Sequence, residues 1–195
     1  KATVRSERNI QPLSDDYIKF IRFAHDRIER TGYGIIGMIT NHTYLSGLIH
    51  RCMREELAKS FSTIYILDLH GSSLIGEKTP SGGKDENVFD IMQGVAIAIF
   101  VKEPGTTGIG KIYHTDVWGI RDDKYRLLLE ADVTSTTWSE LQIQPPNYFF
   151  IPKKLEFLHE YQEFWSVEDI FIDKATGFVT GNDEHLIGFD RERMV

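Results

Sequence analysis

The sequence is poor in cysteine, because its 195 residues include only Cys52. One thiol excludes an internal disulfide framework and is typical of a protein in a reducing cytosol. The sequence also lacks a run of about 20 apolar residues, the length that a membrane-spanning helix needs. Its charged first ten residues do not have the apolar core of a secretory signal. We therefore expect a cytoplasmic protein without a membrane partner.

Basic charge is also scarce. The chain has 22 Lys and Arg against 29 Asp and Glu, which gives a formal net charge of −7. A protein that binds nucleic acid by bulk attraction needs the opposite balance. This argument leaves room for a nucleic-acid enzyme whose basic surface lies elsewhere. The length is sufficient for one full-sized core and a small appendage.

Helical and strand patterns alternate along the chain, which is typical of an α/β fold. Ser14 is the expected N-cap of a first helix, whose apolar stripe Phe20 and Phe23 would broaden. Ser46 is the expected N-cap of a second helix, with Arg54 on its water-facing side. We predict strands at residues 34–40, 62–69, 94–102, 110–119 and 147–154, and a third helix at 122–131.

Residues 85–102 are the stretch that we most expect to meet a substrate. A buried strand at 94–102 follows a polar segment that carries the apolar pair Val88 and Phe89. A Gly-, Ser- and Lys-rich loop joins this strand to the one at 62–69. Because the loop contains no crossover helix, we predict that the two strands are antiparallel neighbours. The alternative role for Phe89 is that of a core residue closing the sheet edge.

Two glycine-rich motifs match nucleotide-binding patterns in letters but not in context. GYGIIG at residues 32–37 follows a predicted helix and precedes a strand, which reverses the order that dinucleotide binding requires. TPSGGK at residues 79–84 lacks the first Gly and the final Ser or Thr of a P-loop, because Lys78 and Asp85 occupy those positions. Neither motif is expected to bind a nucleotide, although a flexible Gly-Gly-Lys loop can contact a nucleic-acid phosphate.

The seven histidines show neither the i, i+4 spacing of a helical metal pair nor a cysteine pair to join. We therefore predict no metal site, and polar loop roles are favoured for the histidines. His42, His70 and His114 lie at or near predicted strand ends, where they are candidates to converge. A hydrolase built on these three residues is an alternative that requires their imidazoles to lie close together.

Three segments, at residues 6–28, 34–73 and 82–102, resemble the second half of an amino-group DNA methyltransferase. They read SERNIQPLSDDYIKFIRFAHDRI, GIIGMITNHTYLSGLIHRCMREELAKSFSTIYILDLHGSS and GGKDENVFDIMQGVAIAIFVK. The resemblance is strongest to the adenine-N6 methyltransferases inside single-chain restriction–modification enzymes of the type ISP and type IIG kinds. It runs nearly continuously from Ser6 to Lys154. The tail at 177–189 is similar to the start of their target-recognition domain.

The resemblance implies the second half of a Rossmann-like sheet, including an antiparallel hairpin. Residues 1–154 would be the C-terminal part of the methyltransferase domain, and residues 155–195 a linker and the start of the target-recognition domain. In such enzymes the first half of the sheet binds S-adenosylmethionine, and the second half supplies part of the pocket for an extruded adenine. The parent would therefore work in the cytoplasm of a bacterium or archaeon.

The resemblance also implies roles for particular side chains. The aromatic residue that stacks on the extruded base carries over to Phe89. The remaining expected site residues are Asn41, Tyr44 and Val88 in the base pocket, and Lys78, Gly82, Gly83 and Lys84 in a DNA-contacting loop. For Asn41 and Tyr44, turn and capping roles are the alternative.

The family's catalytic Asn-Pro-Pro-Tyr motif and its glycine-rich cofactor motif do not occur in this sequence. The Pro145-Pro146 pair follows Gln144 and precedes Asn147. We therefore expect no catalytic residue in this chain, and S-adenosylmethionine binding by the parent rather than by this chain alone. The expected partners are double-stranded DNA through the parent, and a missing N-terminal half or a second copy of the chain at the sheet edge. The alternative function is a non-catalytic DNA- or protein-binding module that retains the methyltransferase scaffold.

Overall fold

The computed structural model describes Val4, Glu7 and residues 9–105, 107–154 and 156–171. The chain divides into two compact units, Lys1–Lys153 and Lys154–Val195. The tail at 177–189, for which we expect a target-recognition domain, lies outside the described residues. Within the described part of the chain, no helix is long and apolar enough to cross a membrane.

The first unit contains a five-stranded mixed sheet in the order β1-β3-β2-β4-β5. Its strands are β1 (Gly34–Asn41), β2 (Thr63–His70), β3 (Val95–Lys102), β4 (Lys111–Asp116) and β5 (Ser139–Leu141). β3 lies antiparallel between β1 and β2, whereas β4 is parallel to β2 and antiparallel to β5. The predicted antiparallel pairing of β2 with β3 is therefore confirmed, and so is the α/β class.

Helices α1 (Asp16–Thr31) and α2 (Arg51–Ser60) contribute to one apolar core with one face of the sheet. Ile21 of α1 and Leu57 of α2 are buried in this core with Phe100 of β3. α1 ends at Gly32, whose positive φ of 81° is the left-handed conformation of a helix C-cap. The remaining helices are α3 (Arg121–Glu130) in the first unit, and α4 (Leu158–Glu163) and α5 (Val167–Ile170) in the second.

Several sequence predictions about the two core helices are wrong. Ser14 lies in a 3-10 turn before α1, and Ser46 lies before the short 3-10 turn that precedes α2, so neither residue is the N-cap. Phe20 and Phe23 are 62% and 60% exposed, because they lie outside the stripe that packs on the sheet. Arg54 is fully buried instead of facing water. Its guanidinium donates hydrogen bonds to backbone carbonyl oxygens, which accommodate the buried charge.

β1 is an edge of the sheet, where we expected a partner, but it is not the buried strand that its apolar run indicates. Among the described residues it pairs with β3 alone. Ile36 faces the core, whereas Ile35 and Ile39 on the opposite face are 69% and 54% exposed. One edge and one apolar face of β1 are thus left open by the described part of the chain.

The predicted strand at 147–154 is wrong, and the short strand β5 was missed. Residues 147–154 are irregular, and the N–H of Phe150 donates to the carbonyl oxygen of Leu45. The apolar run therefore reflects burial rather than strand pairing, because the Phe150 side chain is fully buried in the core shared with α1 and α2.

Candidate functional site

Residues 85–93, here called the Phe89 segment, connect the loop after β2 to β3. The segment begins at Asp85, whose side chain is completely buried. Its carboxylate accepts hydrogen bonds from the backbone N–H groups of Gly71 at 2.7 Å and Gly119 at 2.8 Å. It also pairs with the ammonium of Lys124 at 2.8 Å, and that ammonium is equally buried. Asp85 thus joins three separate parts of the chain at one carboxylate.

One turn of α3 holds the backbone of the Phe89 segment. Arg121, Lys124 and Tyr125 lie on the same side of the helix, because they are spaced i, i+3 and i+4. Their side chains donate hydrogen bonds to four successive carbonyl oxygens, those of Glu86, Asn87, Val88 and Phe89. The path of the segment is therefore set by side chains of a helix that follows it in sequence.

Asn87 stabilises the turn from inside the segment. Its Oδ1 accepts a hydrogen bond from the N–H of Phe89 at 2.8 Å, and its Nδ2 donates to the carbonyl oxygens of Gly71 and Gln93. Val88 is buried against a small apolar cluster that includes Leu69. The backbone before and at Phe89 is therefore fixed on both sides.

The Phe89 ring itself is 44% exposed. The described residues therefore do not make it a core side chain, which was the alternative role. Ile91 and Met92, just beyond it in the same segment, are also exposed. The arrangement presents an apolar surface on a rigid backbone, at the entry to the central strand β3.

The loop residues Lys78, Gly82, Gly83 and Lys84 are all exposed. A tight turn forms the loop tip, where Gly82 has a positive φ of 85° and its N–H donates to the carbonyl oxygen of Thr79. The ammonium of Lys84 pairs with Glu86, whose pKa it lowers. A phosphate contact by Lys84 would therefore compete with a carboxylate already in place.

Asn41 and Tyr44 have local structural roles. The Oδ1 of Asn41 accepts hydrogen bonds from the N–H and the hydroxyl of Thr43, so Asn41 caps the 3-10 turn after β1. Tyr44 is fully buried, and burial raises the pKa of its hydroxyl. Asn41 has the capping role that we gave as the alternative, whereas the core position of Tyr44 was not among the alternatives. A base-pocket role for these two residues stays a prediction.

Two of the three histidines named from sequence, His42 and His70, lie together at the carboxyl ends of the strands, and His114 lies beside Asp116. His42 Nδ1 lies 2.9 Å from Asp68, and the rings of His42 and His70 are 6.0 Å apart. His70 hydrogen-bonds through Nδ1 to Glu77 and through Nε2 to Asp116, both at 2.8 Å. Burial alone would lower the pKa of His70, but these two carboxylates outweigh it and raise the pKa to about 9.

The hydrolase alternative required this convergence, but the hydrogen bonds do not fit it. A nucleophile needs a neutral imidazole aligned with a hydroxyl or thiol. His42 and His70 instead contact carboxylates, and both ring nitrogens of His70 are engaged, so His70 has no free nitrogen to act as a base. The ring of His70 also stacks on Trp118, with centroids 3.4 Å apart. The cluster is therefore a charge network rather than a nucleophile with its base.

A groove of about 800 Å³ lies elsewhere, beside α1 and α2. Its lining includes Ile21, Met53 and Leu57 together with charged side chains of α1. None of the predicted site residues lines it. The groove and the Phe89 segment are therefore separate features of the first unit.

Sequence reasoning missed the part of the site that α3 supplies. Arg121, Lys124 and Tyr125 are polar or amphipathic residues at helical spacing, a pattern that is typical of a solvated face. Asp85 was considered only as a mismatch to a P-loop. No local signal in the sequence shows that the buried carboxylate of Asp85 pairs with Lys124 of this helix.

No protein-family model matches the chain, and no curated protein matches it. Solved structures do match. The ATP-dependent Type ISP restriction-modification enzyme LlaBIII bound to DNA is similar over 98% of this chain, with 27% identity and a TM-score of 0.71. A nuclease-deletion mutant of the Type ISP enzyme LlaGI, in complex with a DNA substrate mimic, covers 79% of this chain with 22% identity and a TM-score of 0.66. A DrdV-DNA complex covers 77% with 22% identity and a TM-score of 0.64.

All three solved structures contain a region whose fold is similar to that of this chain. The chain spans 13% of the LlaBIII chain, 12% of the LlaGI chain and 14% of the DrdV chain, so it is similar to a segment of much longer proteins. At 22% identity, the LlaGI and DrdV structures show a shared fold alone. The LlaBIII likeness extends over nearly the whole of this chain and supports a relation to restriction–modification enzymes.

Proposed function

We propose that this chain is the substrate-side part of an adenine-N6 DNA methyltransferase within a restriction–modification enzyme. In this proposal Phe89 stacks on the adenine that the parent extrudes from the duplex. Two observations support the assignment to a substrate-side part. The antiparallel strand β3 lies between β1 and β2, and the chain is similar over 98% of its length to a DNA-bound Type ISP enzyme.

The observation that carries the proposal is the exposed Phe89 ring on a fixed backbone. Extruding a base costs a few kcal/mol of lost stacking and pairing. Stacking on an aromatic side chain returns about 1–3 kcal/mol of that cost. The turn of α3 and Asn87 already hold the backbone of Phe89, so little backbone freedom would be lost on binding.

The loop after β2 would contribute DNA contacts of a second kind. Exposed Lys78 and Lys84 flank a glycine-containing tip. Phosphate contacts of this type add affinity without sequence preference and weaken as salt rises. With a net charge of −7, such attraction would be local to the loop rather than a property of the whole chain.

The described residues do not fit S-adenosylmethionine. A cofactor of this kind needs a glycine-rich turn between a strand and a following helix. Here Gly32 caps the end of α1 and Gly34 begins β1, in the reverse order. We therefore propose that the cofactor and the catalytic Asn-Pro-Pro-Tyr motif belong to another part of the parent. This chain supplies no methyl-transfer step of its own.

A second candidate function is a binding module that keeps the scaffold without catalysis. The open apolar face of β1 favours it, because Ile35 and Ile39 are 69% and 54% exposed there and such a surface can bind a partner. The two candidate functions make different predictions about the reading frame that encodes this chain. The methyltransferase proposal expects that frame to encode the cofactor motif and Asn-Pro-Pro-Tyr upstream, where they would cover the open edge of β1. The binding-module proposal expects neither, and a second copy of the chain could then pair with that edge.

The test is to express the complete reading frame in bacteria that lack adenine methylation, and to sequence the DNA for N6-methyladenine. Wild-type protein should methylate one defined sequence. Phe89→Ala should lower methylation about 10–100-fold, which corresponds to the loss of one stacked ring. Phe20→Ala is the matched control, because Phe20 is 62% exposed on α1. Absence of methylation by the wild-type protein, or equal methylation by both variants, would contradict the proposal.

A further inference from the structure

A polar cluster at the carboxyl ends of β2 and β4 has no role in the proposed function. Because these two strands are parallel neighbours, their last residues lie side by side. Asp68 is paired in register with Asp116, and Ile66 with His114. The cluster combines imidazoles and carboxylates, and its members are His42, Asp68, His70, Glu77, His114 and Asp116.

His114 is the member with an unsatisfied atom. Its side chain is 1% exposed, and its Nε2 has no hydrogen-bond partner. Buried polar atoms in folded proteins nearly always have a partner, so this nitrogen needs an explanation. It lies 3.8 Å from the Oδ1 of Asp116, which is too far for a hydrogen bond. That distance leaves room for an ion that contacts both atoms.

The positions of the surrounding atoms fit three metal ligands. One ligand atom each from Asp68, His114 and Asp116 lie within 4.8 Å of one another. The centre of an equilateral triangle of that size is about 2.8 Å from each corner, whereas zinc bonds to nitrogen and oxygen are about 2.0–2.2 Å long. A contraction of less than about 1 Å at each side chain would therefore close the site.

Both carboxylates are already oriented by other histidines. His42 contacts Asp68 through Nδ1 at 2.9 Å, and His70 contacts Asp116 through Nε2 at 2.8 Å. Hydrogen-bonded carboxylate ligands of this kind are the usual surroundings of a protein metal site. His70 is excluded as a ligand, because its other nitrogen is bonded to Glu77.

The charge of the cluster also favours a cation. Three of its six members, Asp68, Glu77 and Asp116, are carboxylates, which are ligands that divalent cations accept. The buried ammonium of Lys124 is engaged by Asp85. Burying uncompensated negative charge is costly, and a divalent ion would remove that cost.

We propose that Asp68, His114 and Asp116 bind a divalent transition-metal ion such as Zn²⁺. One imidazole and two carboxylates suit first-row divalent ions, and a water molecule completes the usual four-fold coordination. Asp116 is 39% exposed in its side chain and gives the ion an entry path. The ion would join the ends of β2 and β4 next to residues 117–119, which also contact the anchor of the Phe89 segment through Gly119.

The test is calorimetric titration of the untagged 195-residue chain with Zn²⁺, and with Co²⁺ followed by its visible absorption. We expect one ion per chain and a Co²⁺ spectrum with ligand-field bands. His114→Ala should weaken binding by more than about 100-fold, since it removes a direct ligand rather than an outer partner. His159→Ala is the control, because His159 is 89% exposed on α4.

Asp116→Asn provides a second variant at a partly exposed position, in case His114→Ala does not fold. It should also weaken Zn²⁺ binding, and Zn²⁺ should raise the melting temperature of the wild-type chain but not of this variant. Absence of saturable binding to the wild type would overturn the proposal. Binding that is equally strong in both ligand variants would overturn it as well.

Discussion

Two fully buried cations divide the first unit into regions with different chemistry. Within the part of the chain that the structure describes, Arg54 on α2 donates only to backbone carbonyl oxygens, those of Tyr44, Gly47, Asn147 and Tyr148. Lys124 on α3 also donates to carbonyl oxygens, but in addition it pairs with the equally buried carboxylate of Asp85. Both cations connect distant segments, yet only the second connection involves a buried anion.

The two buried cations have different energetic roles. The planar guanidinium of Arg54 satisfies several neutral acceptors at once, and burial lowers its pKa only to about 10, so it stays charged at neutral pH. Burying both Lys124 and Asp85 costs desolvation free energy, which can exceed the attraction between the two charges. Buried ion pairs of this kind are better explained by the geometry that they specify. Here that geometry is the path of the Phe89 segment.

Lys124→Met is expected to have the largest effect on stability. It leaves the Asp85 carboxylate buried without its partner, which costs about 3–5 kcal/mol of unfolding free energy. Chemical denaturation measures this loss. The Lys124→Met, Asp85→Asn double variant should be more stable than Lys124→Met alone, because it removes the stranded charge. Equal stability of the single and double variants would show that the ion pair is not the source of the effect.

Arg54→Met should lower the unfolding free energy by about 2–4 kcal/mol, since it leaves buried carbonyl oxygens without donors. Arg54→Lys should recover only part of the loss, because a single ammonium cannot reproduce the planar fork of donors. The same denaturation experiment applies. Wild-type stability of Arg54→Lys would indicate that the fork geometry does not matter in this region.

Acidification should destabilise the Arg54 region through His50. This histidine is buried, and burial together with the charge of Arg54 lowers its pKa to about 4. Between the unfolded pKa of about 6.5 and this value, the unfolded state binds more protons than the native state. Stability should therefore fall as the pH falls from about 6.5 to 4, by about 3 kcal/mol. Melting temperatures of wild type and His50→Gln across this range provide the test, and the variant should show the shallower slope. Identical slopes would exclude His50 as a source of the dependence.

The smallest effect on stability is expected at Phe89. Because the ring is 44% exposed, Phe89→Ala should change the unfolding free energy by less than about 1 kcal/mol. Its neighbour Val88 is 3% exposed, and Val88→Ala should cost about 1.5 kcal/mol for the two buried carbon atoms removed. A larger loss at Phe89 than at Val88 would mean that the ring supports the fold rather than a ligand.

Sequence patterns predicted the α/β class, most strands and the antiparallel pairing of β2 with β3. That pairing followed from a loop without a crossover helix, which is a local property of the chain. The two buried cations were not predictable in the same way. Helical periodicity places an Arg or Lys on the solvent side by default, and the acceptors of Arg54 and Lys124 come from segments far away in the sequence.

The candidate site was predicted only in part, because some of its features also depend on contacts between segments that are distant in sequence. The position of Phe89 before a buried strand was visible in the sequence, and its proposed role came from the resemblance to methyltransferases. The exposure of the ring and the hold of α3 on its backbone depend on tertiary contacts. The open face of β1 was also missed, because an apolar run in a sequence does not show whether other segments cover both faces of the strand.

The most direct test of the account is photo-cross-linking of the complete parent protein to DNA. A duplex would carry 5-iodouracil in place of the target adenine, at the sequence identified by methylation, and the cross-linked residue would be mapped by mass spectrometry. An extruded base that stacks on an aromatic ring should cross-link to it. We expect a cross-link at Phe89 that disappears in Phe89→Ala and persists in Phe20→Ala. A base cross-linked to another residue, with no product at Phe89, would contradict it.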